Sequence, residues 1–284
     1  MSLAFATQVS VSGTRTARDP HPSQLPAVYS VKLATDAQEF RAALRLRYEV
    51  FNVELREGLE SSKRTGCDFD AFDAVMDHII VKCAYSRRVV GTYRVQTGTT
   101  AARHLGYYGE REFDFMPYDA LRCQLVELGR ACIHQDHRNA NVLMLLWKAV
   151  AQYAIARGCR YLIGCSSVTS QDPTVGAGVY AKIKNSLTHP ELRTMAHPRY
   201  RCELTSEDSA TKDPKIPKLL RAYLSVGAQI CGAPALDAEF GTIDFLTLLD
   251  LGRVPKGMLA RTTSKLASAS PAVASGPFTS LASF

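Results

Sequence analysis

Residues 124–147 read Q-L-V-E-L-G-R-A-C-I-H-Q-D-H-R-N-A-N-V-L-M-L-L-W, an apolar run interrupted by Glu127 and Arg130, then a polar knot, then an amphipathic run. Leu125 to Ile133 has the density of a buried strand. On a regular strand, residues three apart point to opposite faces. Gly129 between the two charges predicts a bulge, because an extra residue there would bring Glu127 and Arg130 to a common cleft and splay the strand from its neighbour. An ion pair across the sheet edge is the alternative. Beyond the knot, Val142, Leu145, Leu146, Ala149, Val150 and Tyr153 form one stripe of a helix that ends before Gly158. R-Y-L-I-G-C-S-S at 160–167 follows as a second buried strand, so 124–167 is a β-α-β unit with a parallel pair.

Working outward, Thr35 and Gln38 form a capping-box pattern ahead of a helix over 36–50, which repeats Phe40, Leu44, Tyr48 and Phe51. H-I-I-V-K-C-A-Y (78–85) and V-V-G-T-Y-R-V-Q (89–96) read as a hairpin. Helices near 174–187 and 216–225 and a strand at 242–250 complete the pattern. These elements predict a mixed α/β sheet with helices on both faces. The Ser-, Thr- and Pro-rich residues 1–28 and the low-complexity residues 256–284 are expected to lie outside one domain over 29–255.

No apolar run reaches the roughly 18 residues that a membrane helix needs, and the N-terminus lacks the pattern of a secretory signal. The expected location is the cytoplasm. Eight cysteines stand singly, without zinc-ligand spacing, and read as free thiols; no metal site is expected. With 46% hydrophobic residues, disorder of the whole chain is excluded. The net charge of +7 favours an anionic partner such as an acidic carrier protein or lipid headgroups. Nucleic acid is not expected, because the basic residues are spread out without interleaved aromatic residues.

The start of the central helix offers unpaired amides, with Arg138 alongside, and can hold a phosphate; Asn139 acting as an N-cap is the alternative reading. Asp68, Asp70, Asp73, Asp77 and His78 gather acidic character in a basic chain. Such carboxylates suit a cationic substrate, a solvated loop or a weak cation site. His78 could equally cap the hairpin.

Strand, bulge, phosphate-binding turn, helix and strand together resemble the core of the Gcn5-related N-acyltransferase (GNAT) fold, with its splayed central parallel strand pair. R-L-R-Y-E-V-F (45–51), D-F-D-A-F-D-A-V-M-D-H (68–78), V-V-G-T-Y-R (89–94), V-E-L-G-R-A-C-I (126–133), L-L-W (145–147), I-G-C-S-S (163–167), P-K-L-L-R-A-Y-L-S-V-G-A (217–228) and P-A-L-D-A-E-F-G-T-I-D-F (234–245) stand in fixed order over about 38–252. They are similar to the ornithine acyltransferases of ornithine-lipid synthesis (older name "putative hemolysin"), relatives of acyl-homoserine-lactone synthases. The resemblance implies transfer of a 3-hydroxy fatty acyl chain from acyl carrier protein to the α-amino group of ornithine, giving lyso-ornithine lipid, with peripheral contact at the anionic inner membrane. It also implies that Arg47, Phe51, Asp68, Asp70, Arg94, Glu127 and Arg130 shape the amine site. Acylation of glycine, synthesis of a homoserine lactone, and a non-catalytic carrier- or lipid-binding module are the alternatives.

Within that reading Glu127 accepts the amine proton while Arg130 keeps it ionised. A backbone amide near Ala131, Cys132 or Ile133 meets the oxyanion. Arg138, Asn139, Ala140 and Asn141 take the donor's phosphate, and Ser166 and Ser167 its pantetheine arm. H-R-N-A-N at 137–141 lacks the glycines of the usual diphosphate turn, which fits the single phosphate of acyl-phosphopantetheine on a carrier protein as co-substrate, with no cofactor bound permanently. Tyr180 matches only by position a thiolate-protonating tyrosine of the wider fold. Cys165 as a nucleophile is disfavoured, since no histidine lies near it in the motif.

Overall fold

The computed structural model describes residues 28–204 and 213–254; the two expected tails fall almost wholly outside them. The strands are β1 (Tyr29–Leu33), β2 (Asp77–Cys83), β3 (Val89–Thr97), β4 (Leu125–Ile133), β5 (Tyr161–Val168), β6 (Gln229–Ile230), β7 (Ala235–Asp237) and β8 (Thr242–Asp250). They form one sheet in the order β1-β2-β3-β4-β5-β8-β6, with β7 also on β8. Among the pairings between these strands, that of β4 with β5 is parallel and the rest are antiparallel. The helices are α1 (Ala37–Tyr48), α2 (Ser62–Thr65), α3 (Gly98–Arg103), α4 (Ala140–Ala156), α5 (Pro173–Ile183) and α6 (Lys218–Ser225).

Alternation along β2 shows why helices cover both faces. Ile79, Val81 and Cys83 pack with Val142, Leu146 and Val150 of α4, whereas Ile80 packs with Ala43 and Leu46 of α1 on the other side. The hairpin, the central helix and the parallel pair are as the periodicity predicts. Among the described residues no helix is long and apolar enough to cross a membrane.

Several local expectations shift. The cap of α1 is Asp36, which accepts from the amide of Glu39, while Glu39 accepts from the amide of Thr35; the cap lies one residue past the Thr35–Gln38 pattern. The helix then widens into a π-turn at Glu49–Glu54. The 174–187 helix stops at Ile183, and the 216–225 helix starts at Lys218, with Pro217 as its N-cap. The short strands β1, β6 and β7 were not foreseen.

The sheet opens at its centre. The β4–β5 ladder runs through Leu125↔Tyr161, Val126↔Leu162 and Glu127↔Ile163 only. Beyond it β4 stays on β3 as far as Ile133, and β5 stays on β8 as far as Val168. At the parting point, a Cβ added to Gly164 would lie 2.2 Å from the Leu128 carbonyl oxygen, so only glycine lets the strands meet there. The bulge is present: Thr92 faces Cys132 and Arg94 faces Gly129, which leaves Arg130 and Ala131 opposite the single residue Tyr93. Its left-handed residue is Arg130 (φ 50°), not the neighbouring Gly129. A non-glycine residue there costs roughly 1–2 kcal/mol, a strain offset by what holds the arginine.

Candidate active site

The bulge puts both charges on the α1 face, as the pattern at 127–130 predicts, yet they do not pair with each other. Glu127 is buried, and its Oε1 accepts from the amide of Gly109 (2.7 Å). Its Oε2 accepts from Gln96 Nε2 (2.7 Å) and the amide of Tyr108 (2.8 Å). Burial raises its pKa, opposed by those three bonds and by the charge of Arg94. The expectation that Arg130 keeps Glu127 ionised is therefore corrected: donors from β3 and from the loop over β4 do that work.

Arg130 turns instead to Asp68 (Nε to Oδ2, 3.3 Å) and Asp70 (3.1 Å). Its guanidinium lies 4.2 Å from the ring centre of Phe240 and 5.1 Å from that of Tyr108. Arg47, wholly buried, bonds Asp68 (2.7 Å) and grips both oxygens of Asp73 (2.6 and 3.0 Å). Arg94 binds Asp70 (2.6 Å) and Asp73 (3.1 Å). Three arginines thus neutralise three aspartates, so the cluster foreseen as an amine receptor is spent inside the fold. The neighbouring arginines hold Asp70 and Asp73 below the usual carboxylate range despite their burial.

His78 is buried, 3.6 Å from Asp73, and desolvation lowers its pKa to about 4, so it is a neutral packing group against Phe40 and not a hairpin cap. Asp77 is not in the site at all. It is exposed at the start of β2, where Tyr153 of α4 donates to it (2.8 Å).

A cavity of about 750 Å³ fills the opening between β4 and β5 and reaches both faces of the sheet. On the α1 face it is lined by Phe51, Arg94, Tyr108, Glu127, Arg130 and Phe240. Toward α4 and α6 its wall is apolar, with Leu128, Ala131, Leu143, Trp147, Val150 and Tyr223. Cys132, Ile133, Ser166 and Ser167 line it as well; Ser166 Oγ lies 3.1 Å from Thr247 Oγ1.

Asn139 and Ala140 border the cavity at the start of α4, and Asn139 caps the helix by accepting from the amide of Val142 (3.1 Å), the alternative reading of that residue. Asn141 is exposed and does not line it. Arg138 borders it, but its fork is held by Glu54 (2.5 and 2.6 Å), which takes up much of the charge meant for a phosphate. Tyr180 stacks on Phe245 and lies off the cavity.

Sequence reasoning missed Gln96, Tyr108 and Gly109, whose donors reach Glu127 from distant segments. It also missed Glu57, Glu112, Asp237 and Asp244, all buried on the same side. One signal existed: Asp244 interrupts T-I-D-F-L-T-L-L as Glu127 interrupts its own strand. Ligand atoms of Glu112, Cys165 and Asp244 lie within 4.8 Å of one another. Burial and the surrounding carboxylates push the Cys165 thiol well up, which disfavours both a thiolate metal ligand and a nucleophile.

The arrangement offers a carboxylate of raised basicity at the foot of a slot with free strand edges and an apolar wall, the components of acyl transfer to an amine. An "Acetyltransferase (GNAT) domain" model matches residues 46–148. An L-ornithine N(alpha)-acyltransferase of Rhodobacter capsulatus is 33% identical over 235 residues, 79% of this chain and 91% of the relative. Another of that name, from Agrobacterium fabrum, is 29% identical over 237 residues, 78% and 81% of the two chains. A solved CoA-dependent acyl-homoserine lactone synthase, BjaI, aligns at 14% identity over 83% of this chain and 88% of that one, with a TM-score of 0.49.

Proposed function

The chain belongs to the L-ornithine N(alpha)-acyltransferase family, within the GNAT acyltransferases, and from that premise we propose how its own residues move a fatty acyl chain onto the α-amino group of ornithine. The observation that carries the scheme is the slot beyond Glu127, where β4 and β5 part and each keeps one backbone edge without a ladder partner across it. The thioester arm of the donor lies along that edge, as an added strand would. Its acyl chain follows the apolar wall of Leu128, Leu143, Trp147 and Tyr223.

The neutral α-amine attacks the thioester carbonyl from the α1 face. The C–N bond forms, the C–S bond breaks, and the proton of the amine passes to Glu127 directly or through a water while the thiolate leaves. Glu127 suits this task better than an arginine-paired carboxylate would, because burial raises its affinity for the proton. The amides of the bulge at Ala131 and Cys132 are the donors nearest the developing oxyanion.

The donor is an acyl-phosphopantetheine on acyl carrier protein, in keeping with H-R-N-A-N at 137–141, which lacks the glycines of a diphosphate turn. Lys182, Lys184, Lys215, Lys218 and Arg221 on and around α5 and α6 face the acidic carrier or an anionic inner membrane, from the cytoplasm. The purified chain is to be assayed with ornithine and the same 3-hydroxyacyl group on carrier protein or on coenzyme A, with lyso-ornithine lipid measured by mass spectrometry. Product from both donors at equal rates overturns the carrier-protein donor; absence of product with both donors overturns the scheme.

A further inference from the structure

Four buried carboxylates take no part in the proton transfer above; three of them line the cavity, and the fourth, Glu112, lies behind Asp244. Asp244 on β8 stands opposite Ser167 of β5, and both line the cavity. Glu57, which follows the π-turn, accepts from Thr169 Oγ1 (2.7 Å) and lines it too. Asp237 on β7 also lines it, with one oxygen taken by the amides of Glu239 and Phe240 (3.0 Å each). Glu112 comes from the loop that also supplies Tyr108, and lies beside Asp244 and Cys165.

Among the described residues none of the four sits in an ion pair with lysine or arginine; the guanidinium whose charge reaches Glu57 and Glu112 is that of Arg130, itself held by Asp68 and Asp70. Asp244 is 4% exposed, and its Oδ1 has no hydrogen-bond partner among the described residues. An acceptor buried without a donor costs roughly 1–3 kcal/mol unless a ligand supplies that donor. Burial pushes Glu57 up to about 7; burial and the charges of Asp244 and Asp237 raise Glu112, and burial and the charge of Asp237 raise Asp244, against hydrogen bonds from Ser167, Glu112 and Thr242 that lower it.

We propose that Asp244, backed by Glu57 and Glu112, receives the side-chain ammonium of the amino-acid substrate, so that this acid-lined end of the cavity selects a diamino acid over a neutral amino acid of equal length. The inference rests on the ornithine reading and adds where its specificity resides. It also accounts for regiochemistry. With the δ-ammonium held protonated among carboxylates, only the α-amine is left to reach the Glu127 side of the slot.

The test compares the parent with Asp244→Asn, both given ornithine and norvaline, which has the same carbon chain without the δ-amine, and the same acyl donor. The parent is expected to prefer ornithine. In Asp244→Asn the ratio of ornithine to norvaline kcat/KM is expected to fall at least about tenfold, chiefly through the KM for ornithine. Glu57→Gln, whose amide oxygen can still accept from Thr169, is the second variant, and the same ratio falls in it. A packing role for either residue would lower both substrates together and leave the ratio unchanged. An unchanged ratio in a folded variant overturns the inference, as does a parent that acylates norvaline as well as ornithine. A parent that yields no acyl-ornithine removes the reading on which the inference rests, and the inference with it.

Discussion

A carboxylate in an apolar strand stays ionised only if donors reach it, and at Glu127 those donors come from Gln96 and the amides of Tyr108 and Gly109. Glu127→Gln replaces one acceptor oxygen with an NH₂ group that must face an N–H donor. Loss of the base is expected to lower turnover about 10²–10⁴-fold, and the mispaired donor to lower stability by roughly 1–3 kcal/mol; assay and thermal melt are read together, and unchanged turnover removes Glu127 from the mechanism. Because its pKa is raised, the acid limb of kcat/KM in the parent is expected above the ordinary glutamate range, with activity lost as pH falls through it. Arg130 behaves differently, since its truncation leaves Asp68 and Asp70 short of a partner in the interior. Arg130→Ala is expected to cost about 3–5 kcal/mol in chemical unfolding. Arg130→Lys should recover only part of that, because an ammonium cannot lie between Phe240 and Tyr108 as a planar fork does. Parent-like stability in Arg130→Ala contradicts the network.

Among the elements, the contact that sets the slot is Gly164 of β5 against the Leu128 carbonyl of β4. A methyl group 2.2 Å from that oxygen forces the strands apart at the last point where they touch. Gly164→Ala is expected to lose roughly 1–3 kcal/mol of stability and to raise the KM of the acyl donor more than that of ornithine; full stability with unaltered kinetics shows that the parting of β4 and β5 does not depend on this contact. The opening itself was legible in the sequence, because a glycine and two charges inside an apolar run have few other physical readings. So were α4, β5 and β8, whose periodicity comes from burial within one element. The left-handed residue was not, since nothing local tells Arg130 from Gly129; the choice is made by Asp68, Asp70, Phe240 and Tyr108, all distant in the chain. β6 and β7 are two and three residues long and carry no period to detect. Asp68, Asp70 and Asp73 drew attention because they are close in sequence, while the arginines that neutralise them stand at 47, 94 and 130. The carboxylates without an ion-pair partner among the described residues, at 57, 112, 237 and 244, are gathered only by the fold.

For the whole molecule the balance is of a chain with net charge +7 that buries a surplus of acid at its centre. That surplus gives the folded chain a pH dependence of known sign. Glu57 titrates at about 7 in the fold against 4.5 as a free side chain, so the protonated form is favoured on folding. Its contribution to stability is fully present below about pH 4.5 and is lost as pH rises through 7. His78 runs the other way: with a pKa lowered to about 4 from 6.5, its contribution is present above 6.5 and lost as pH falls toward 4. Comparing the parent with Glu57→Gln cancels the histidine, which both proteins carry. The variant's melting temperature relative to the parent is therefore expected to climb between about pH 4.5 and pH 7 and to level off above that. Saturating ornithine supplies the missing cation and stabilises the parent by mass action, so at pH 8 the gap should narrow when ornithine is added. A gap that stays flat from pH 5 to pH 8, or that ornithine does not narrow, would show that the acid end of the cavity is neutralised within the fold, and that the chain's preference for a diamino acid must be set elsewhere.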